Sequence, residues 1–325
     1  MILASSSDIK KFMEIIWKAK DFDRSFKNPV LTLGNFDGVH VGHQRIFKRV
    51  REKAKEVGGD SIAYTFEPHP VQMLRPEREP FLLLPVAERL RLIGELGIDV
   101  AICAPFTRGF ANLTAEEFVR DILHNQIGVR EVFVGQNTTF GRNREGSVLL
   151  LKEFGQRFGF AVEAVEAVEV GGALVSSSRI RKLIRQGDVK GATELLGRYP
   201  LLSGEVIHGH GRGSKKLGFP TANLKAPSLL FPKPGIYAVW VTHDGQRYQA
   251  VANLGWNPTF HDQNFSIEVH ILHFDKDIYG HPLRVEFVER LRDEITFRGP
   301  GELIAQIKKD VDNAKKILDH VRKIN

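Results

Sequence analysis

A glycine-punctuated junction between a short apolar strand and a long amphipathic helix constrains this chain more than any other segment. Val30-Leu31-Thr32-Leu33 reads as a buried strand, and Gly34-Asn35-Phe36-Asp37-Gly38-Val39-His40-Val41-Gly42-His43 follows it. Ile46, Phe47, Val50, Ala54 and Val57 then recur at helical spacing, which predicts a helix over 42–57. Histidines three apart at a helix start share one face, beside the unpaired N–H groups of the first turn. Those amides and the positive end of the helix dipole favour a phosphate. Gly34, Gly38 and Gly42 allow close backbone approach or a positive φ. The same letters also describe a plain βα turn with two surface histidines; the strand–turn–helix setting weighs against that reading.

The first half alternates strands and helices. Strands are predicted at 30–33, 61–66, 100–103, 131–134 and 160–165, with helices at 42–57, 87–96, 115–126 and 148–158. That order predicts an α/β fold with a doubly wound parallel sheet, whose ligands bind at the carboxyl ends of strands. After Ser176-Ser177-Ser178 come two short helical stretches, 179–185 and 189–196. The texture then changes to strands at 204–209, 235–242, 247–254, 265–274 and 283–289, divided by Gly, Pro, Asp and Asn turns. A small antiparallel β-barrel fits that pattern. A final amphipathic helix carries Leu303, Ile304, Ile307, Val311, Ala314, Leu318 and Val321, and its stripe is expected to pack on the barrel. The expected domains are therefore 1–186 and 201–325, joined by a linker at 187–200.

Bulk properties exclude several classes. In 325 residues with 42% hydrophobic and 26% charged content, no apolar run approaches the length of a membrane span. Residues 1–20 lack the pattern of a signal peptide, which points to the cytoplasm. The single cysteine, Cys103, rules out an internal disulfide; its apolar surroundings predict an inert buried thiol. The net charge of +7 is spread along the chain without a basic run, so it suits phosphorylated substrates better than a nucleic acid. Oligomerisation stays open.

Three further polar clusters sit at strand ends in the first half: Thr65-Phe66-Glu67-Pro68-His69-Pro70, Val134 to Gly141, and Val175-Ser176-Ser177-Ser178-Arg179-Ile180-Arg181. The serine run precedes a helix, where hydroxyls and amides cradle phosphate or simply cap the helix. Together, HxGH and the downstream SSSRIR resemble the superfamily of adenylyl- and cytidylyltransferases with HxGH and ISSTxxR motifs, so the first domain is expected to be a Rossmann-like nucleotidyltransferase. The resemblance implies that His40 and His43 stabilise charge on the α-phosphate of ATP. It also implies that Ser177, Ser178 and Arg181 hold the β- and γ-phosphates. Gly34, Phe36, Asp37, Gly38 and Asn137 complete the implied nucleotide and flavin contacts. The chain departs from the pattern at Thr138, where the family carries an aromatic residue, and at Ser178, where threonine is usual.

The second half carries a strand, a glycine-rich basic loop and Gly218-Phe219-Pro220-Thr221-Ala222-Asn223. The loop lacks the Gly-Lys-Ser/Thr of a Walker A motif. Thr221 and Asn223 put two oxygen donors on one side of an extended segment, a set suited to Mg²⁺ on nucleotide phosphates. Chemistry alone leaves two strand carboxylates, Glu268 and Glu286, as candidate bases. The run Gly211-Arg212-Gly213…Leu217 to Asn223 resembles the riboflavin kinase family. The likeness continues through 234–239, 252–260, 267–271, 277–280 and 291–294. It implies Glu268 as the base for the riboflavin 5′-hydroxyl and Thr221 and Asn223 as Mg²⁺–nucleotide ligands, with Gly211, Arg212, Gly218 and Pro220 in the nucleotide loop. Both halves together resemble the bacterial bifunctional riboflavin kinase/FAD synthetases, which make FMN from riboflavin and ATP, then FAD from FMN and ATP. Two other readings are an adenylyltransferase for a different acceptor with a flavin-binding barrel, and a flavin-sensing regulator that binds nucleic acid.

Overall fold

The computed structural model describes residues 13–18, 23–75, 81–208, 218–225, 229–256 and 265–324. By packing, the chain divides into two units, Met1–Glu79 with Pro85–Ser177, and Pro80–Leu84 with Ser178–Asn325.

The first unit is built on a six-stranded sheet in the order β1-β4-β3-β2-β5-β6. Its strands are β1 (Glu14–Ile16), β2 (Val30–Leu33), β3 (Ser61–Glu67), β4 (Val100–Pro105), β5 (Glu131–Gly135) and β6 (Ala161–Val165). Every neighbouring pair is parallel. All four residues of β2 are buried, as a central strand covered on both faces requires. The helices α1 (Val41–Val57), α2 (Val86–Glu95) and α3 (Val148–Phe158) connect strands, and a helical segment from Ala115 continues as a π-helix over Phe118–Ile127. A core of Leu31, Ile62, Ile102, Val119, Leu123, Val132 and Leu151 lies between the sheet and its helices. Chain order runs outward from β2 to β3 and β4 on one side and to β5 and β6 on the other. The carboxyl end of β2 is therefore the topological switch point, where a doubly wound sheet opens a crevice. The edge strand β1 and the small ribbon β7 (Glu169–Val170) with β8 (Ala173–Leu174) were not foreseen. Two or three residues are too few for a readable alternation.

In the second unit a closed barrel runs β10-β13-β12-β11-β14-β9. The strands are β9 (Leu201–Ile207), β10 (Ala222–Lys225), β11 (Gly235–His243), β12 (Gln246–Trp256), β13 (Phe265–Ile271) and β14 (Pro282–Arg292). All six pairings are antiparallel. Alternate residues fill the interior: Ala250, Ala252 and Leu254 of β12 pair with Ile271, Val269 and Ile267 of β13. The final helix, α6 (Pro300–Ile324), lays Ala314 and Leu318 against Ala238, Trp240 and Val288 on the outside of the barrel. Arg292 clamps that helix through three hydrogen bonds to Asp310.

The helices α4 (Ser177–Gln186) and α5 (Val189–Leu196) are grouped with the barrel, whereas the sequence reading carried the first domain through residue 186. Ile184 of α4 lines a cavity together with Leu201, Leu202 and Phe287, and its carbonyl accepts from the Lys233 amide at 3.2 Å. The apolar stripe that made α4 legible as a helix faces barrel residues.

Two candidate active sites

The first site is the loop between β2 and α1. His40 is the N-cap of α1: its backbone is extended, and its Nδ1 accepts from the His43 amide at 3.3 Å. A neutral ring whose Nδ1 accepts carries its proton on Nε2, as a donor. The two imidazoles stack, with centroids 3.6 Å apart and planes within 17°. Gly42 makes this possible, since a Cβ there would lie 3.2 Å from His40 Cε1 and Nδ1. Gln44 closes the turn by donating from Nε2 to the Val39 carbonyl at 2.9 Å.

The loop is strained. Phe36 and Val39 adopt φ of 49° and 42°, beside Gly38 at 87°. For β-branched Val39 this is an outlier costing about 1–3 kcal/mol, sustained only where surrounding contacts over-determine the backbone. Those contacts are present. Phe36 is buried, with its ring 4.7 Å from Phe47 and edge-on to His43 at 5.4 Å. Gly34 leaves room for it: a Cβ there would meet Phe36 Cε1 at 2.9 Å. Asp37 is buried as well, and its carbonyl accepts from Ser177 Oγ at 2.9 Å. The HxGH loop and the serine run, 140 residues apart in sequence, are thus in direct contact.

A residue that the sequence reading did not single out braces this loop. Arg89, 1% exposed, donates to the Asn35 carbonyl at 3.1 Å, to the Phe66 carbonyl at 2.7 Å and to Glu67 Oε2 at 3.2 Å. It joins the ends of β2 and β3, and so the HxGH loop to the Thr65–Pro70 cluster, whose Glu67–Pro68 bond is cis. Burial raises the Glu67 carboxyl above the usual carboxylate range, and Arg89 only partly opposes that shift. The only sequence signal was an arginine on the apolar side of a predicted helix. His69 caps the short helix Pro70–Leu74, its Nδ1 accepting from the Val71 amide. Cys103 is buried, and desolvation pushes its thiol up to about 12, as expected of an inert cysteine.

The other predicted residues of this half are more exposed. Asn137 is exposed after β5, and Thr138 closes the turn through its amide to the Gly135 carbonyl at 3.0 Å. Ser178 is exposed on the first turn of α4. Arg181 is half-buried in the second unit, where its Nε donates to the Phe81 carbonyl at 2.8 Å and its guanidinium lies 5.3 Å from the Phe81 ring.

The second site is a row across the barrel. Asn223 on β10 pairs with Glu268 on β13, and Glu268 pairs with Asn253 on β12. Directly opposed residues of adjacent antiparallel strands point to the same face. An amide, a carboxylate and a second amide therefore lie side by side on the outer face, opposite to Ala252, Leu254 and Val269. Thr221 stands just before β10, two residues from Asn223, and is half-buried. The turn before β10 is pinned to β13: His270 Nδ1 lies 2.8 Å from the Pro220 carbonyl, and Phe219 meets the His270 ring edge-on at 5.5 Å. Gly218 there has φ of 82°. Gly211 and Arg212 lie outside the described residues.

Geometry separates the two carboxylates that chemistry alone left open. Glu286 ion-pairs with Arg247 at 2.9 Å and Arg284 at 3.3 Å. Glu268 has no ion pair among the described residues, and burial alone raises its pKa above the usual carboxylate range. A desolvated carboxylate without a cation is more basic than an ordinary one. Asn253 lies within the 252–260 likeness but is not among the expected site residues. Its Oδ1 is buried without a hydrogen-bond partner among the described residues. Only strand register, which one sequence does not print, puts it beside Glu268.

Comparisons with known proteins decide the family. Residues 23–179 match the FAD synthetase family, and residues 196–318 match the riboflavin kinase family. The bifunctional riboflavin kinase/FMN adenylyltransferase of Haemophilus influenzae (strain ATCC 51907 / DSM 11121 / KW20 / Rd) is 34% identical over 93% of this chain and 98% of its own length. This chain belongs to that family. It is a two-domain enzyme of flavin cofactor synthesis, with the FAD synthetase domain preceding the riboflavin kinase domain. The protein of the same name from Pseudomonas fluorescens is 39% identical over 89% of this chain and 92% of its own length. A crystal structure titled as a macrolide-efflux protein from Streptococcus pneumoniae superposes with a TM-score of 0.84 at 32% identity, covering 94% of this chain and 99% of that one. The described residues of this chain include no helix long and apolar enough to cross a membrane.

Proposed function

We propose that the two sites act independently: the barrel row phosphorylates riboflavin to FMN, and the β2–α1 loop adenylylates FMN to FAD. The assignment rests most on one observation, the Asn223–Glu268–Asn253 row with its single uncompensated carboxylate. In the kinase step the 5′-hydroxyl of riboflavin attacks the γ-phosphorus of ATP and ADP leaves. Glu268 takes the hydroxyl proton, and its raised pKa suits that role. The Oδ1 of Asn253 accepts a hydrogen bond from the protonated carboxyl or from the substrate hydroxyl. Thr221 and Asn223 are the oxygen donors for Mg²⁺ with ATP, a hard set that fits that ion. When bound, Mg²⁺ neutralises phosphate charge. Gly211, Arg212, Gly218 and Pro220 belong to the loop assigned to the nucleotide.

In the adenylyl step an FMN phosphate oxygen attacks the α-phosphorus of a second ATP and pyrophosphate leaves. That nucleophile is already ionised, so no base is needed. His40 and His43 donate to the α-phosphate oxygens as charge builds there, and the first-turn amides of α1 add to the field. Gly34, Phe36, Asp37 and Gly38 hold the loop in shape. Asn137 is assigned to flavin or adenine contact, and Ser177, Ser178 and Arg181 to the β- and γ-phosphates. Residues 1–186 and 201–325 are assigned to the two activities, with 187–200 as the link, and the cytoplasm as their location. Incubating the protein with ATP, Mg²⁺ and either riboflavin or FMN tests the reading. FMN without FAD would assign the first domain to another acceptor, and salt-sensitive nucleic-acid binding without ATP turnover would support a regulator instead.

A further inference from the structure

Away from the Asn223–Glu268–Asn253 row, the barrel carries a second cluster of ligating side chains that neither reaction uses. The hairpin joining β11 to β12 turns through Asp244 and Gly245, with φ of 47° and 75°. Two successive positive φ values are the signature of a tight hairpin turn matched to strand twist. It sets Asp244 beside His243, the last residue of β11, which pairs with Gln246. His281 precedes β14, and its backbone is held by the Val206 amide, which donates to its carbonyl at 2.9 Å, and by its own amide to the Ile278 carbonyl at 3.1 Å. Two separate chain segments therefore deliver two imidazoles and a carboxylate to one spot. One ligand atom from each of His243, Asp244 and His281 lies within 4.8 Å of the others.

We propose that His243, Asp244 and His281 bind a divalent transition-metal ion of the zinc class. His243 Nε2 and Asp244 Oδ2 are 3.3 Å apart. Metal–nitrogen and metal–oxygen bonds of about 2.0–2.2 Å set neighbouring ligands of a tetrahedron about 3.3–3.5 Å apart. That edge is already formed. His281 and Asp244 are exposed, so the third ligand closes by side-chain rotation. His243 is the fixed member. It is 6% exposed, its ring is edge-on to Phe274 at 6.0 Å, and it lies 5.3 Å from the His281 ring. Its Nδ1 is buried and has no hydrogen-bond partner among the described residues. With Nδ1 buried and the ring fixed by packing, Nε2, the atom beside Asp244, is the ligand atom the ring offers. Two imidazoles and one carboxylate select zinc, cobalt or nickel over magnesium, which prefers oxygen throughout. The donor set leaves a fourth position for water.

The test is zinc titration of the full chain by calorimetry in excess Mg²⁺, which keeps zinc from the Thr221–Asn223 donors, with Co²⁺ absorption as a second readout. The expected result is one zinc per chain and a tetrahedral Co²⁺ spectrum. In His281→Ala and in Asp244→Asn, both surface changes, affinity falls at least tenfold and the Co²⁺ spectrum is lost, while riboflavin phosphorylation is unchanged. Uptake of no zinc by the wild type, or equal affinity in wild type and His281→Ala, overturns the proposal.

Discussion

The two halves of this enzyme build their phosphate chemistry in opposite ways. In the first unit the proposed site centres on a short, strained loop of ten consecutive residues, Gly34 to His43. In the barrel it is a row across three strands, with Asn223, Glu268 and Asn253 drawn from segments up to 45 residues apart. A loop site depends on local backbone geometry and on the buried groups that brace it. A row site depends on register, and a slip of one residue would turn every member to the other face. The first is therefore vulnerable to changes in glycines and in Arg89, and the second to changes in single polar side chains.

Glu268→Gln gives the largest expected effect. Riboflavin phosphorylation falls by about 10²- to 10⁴-fold, the usual worth of a positioned base, while Glu286→Gln stays within a few-fold of wild type. Equal losses in both variants, measured as FMN formed from riboflavin, would erase the distinction drawn from their ion pairs. Next comes Arg89→Ala, which strips three acceptors of a buried cation and leaves Glu67 unpaired. The first domain is expected to lose about 3–5 kcal/mol, seen as a lowered denaturation midpoint for that domain and weaker FAD synthesis. An unchanged midpoint would mean that Arg89 does not brace the loop. Gly42→Ala presses a methyl on the His40 ring; FAD formation is expected to drop about tenfold, a barrier change of about 1.4 kcal/mol, with FMN formation unaltered.

The smallest effect is a pH dependence with two opposite signs. The folded barrel holds the Glu268 proton more tightly than the unfolded chain does. Its stability therefore falls as pH rises from the ordinary carboxylate range through the raised pKa, and is level above it. Kinase activity rises through the same window, because only the ionised carboxylate can act as base. In Glu268→Gln the stability slope attributable to this group disappears. A wild-type profile in which activity and stability rise together there would contradict the assignment.

What could be read from the letters follows the same division. The strand–turn–helix junction, the alternating sheet order and the barrel texture were legible because each rests on local periodicity and turn residues. Two histidines at the first turn of a helix follow from the same ten letters; His40 as the N-cap and Gly42 as the space for its ring do not. Arg89 and Asn253 were not legible, because nothing within ten residues of either announces its partner. Strand β10 was missed as well: four residues after a proline-containing turn carry too little alternation. Helix α4 was legible as a helix but not in its packing, since an apolar stripe does not say which surface it faces.

That two separate sites act in sequence is tested most directly by product identity from riboflavin, ATP and Mg²⁺ in the folded His43→Ala variant. FMN is expected at the wild-type rate, with FAD formation reduced by about 10²- to 10³-fold, the usual cost of removing one transition-state donor. Loss of both products in that variant, or FAD formed as fast as in wild type, would contradict it.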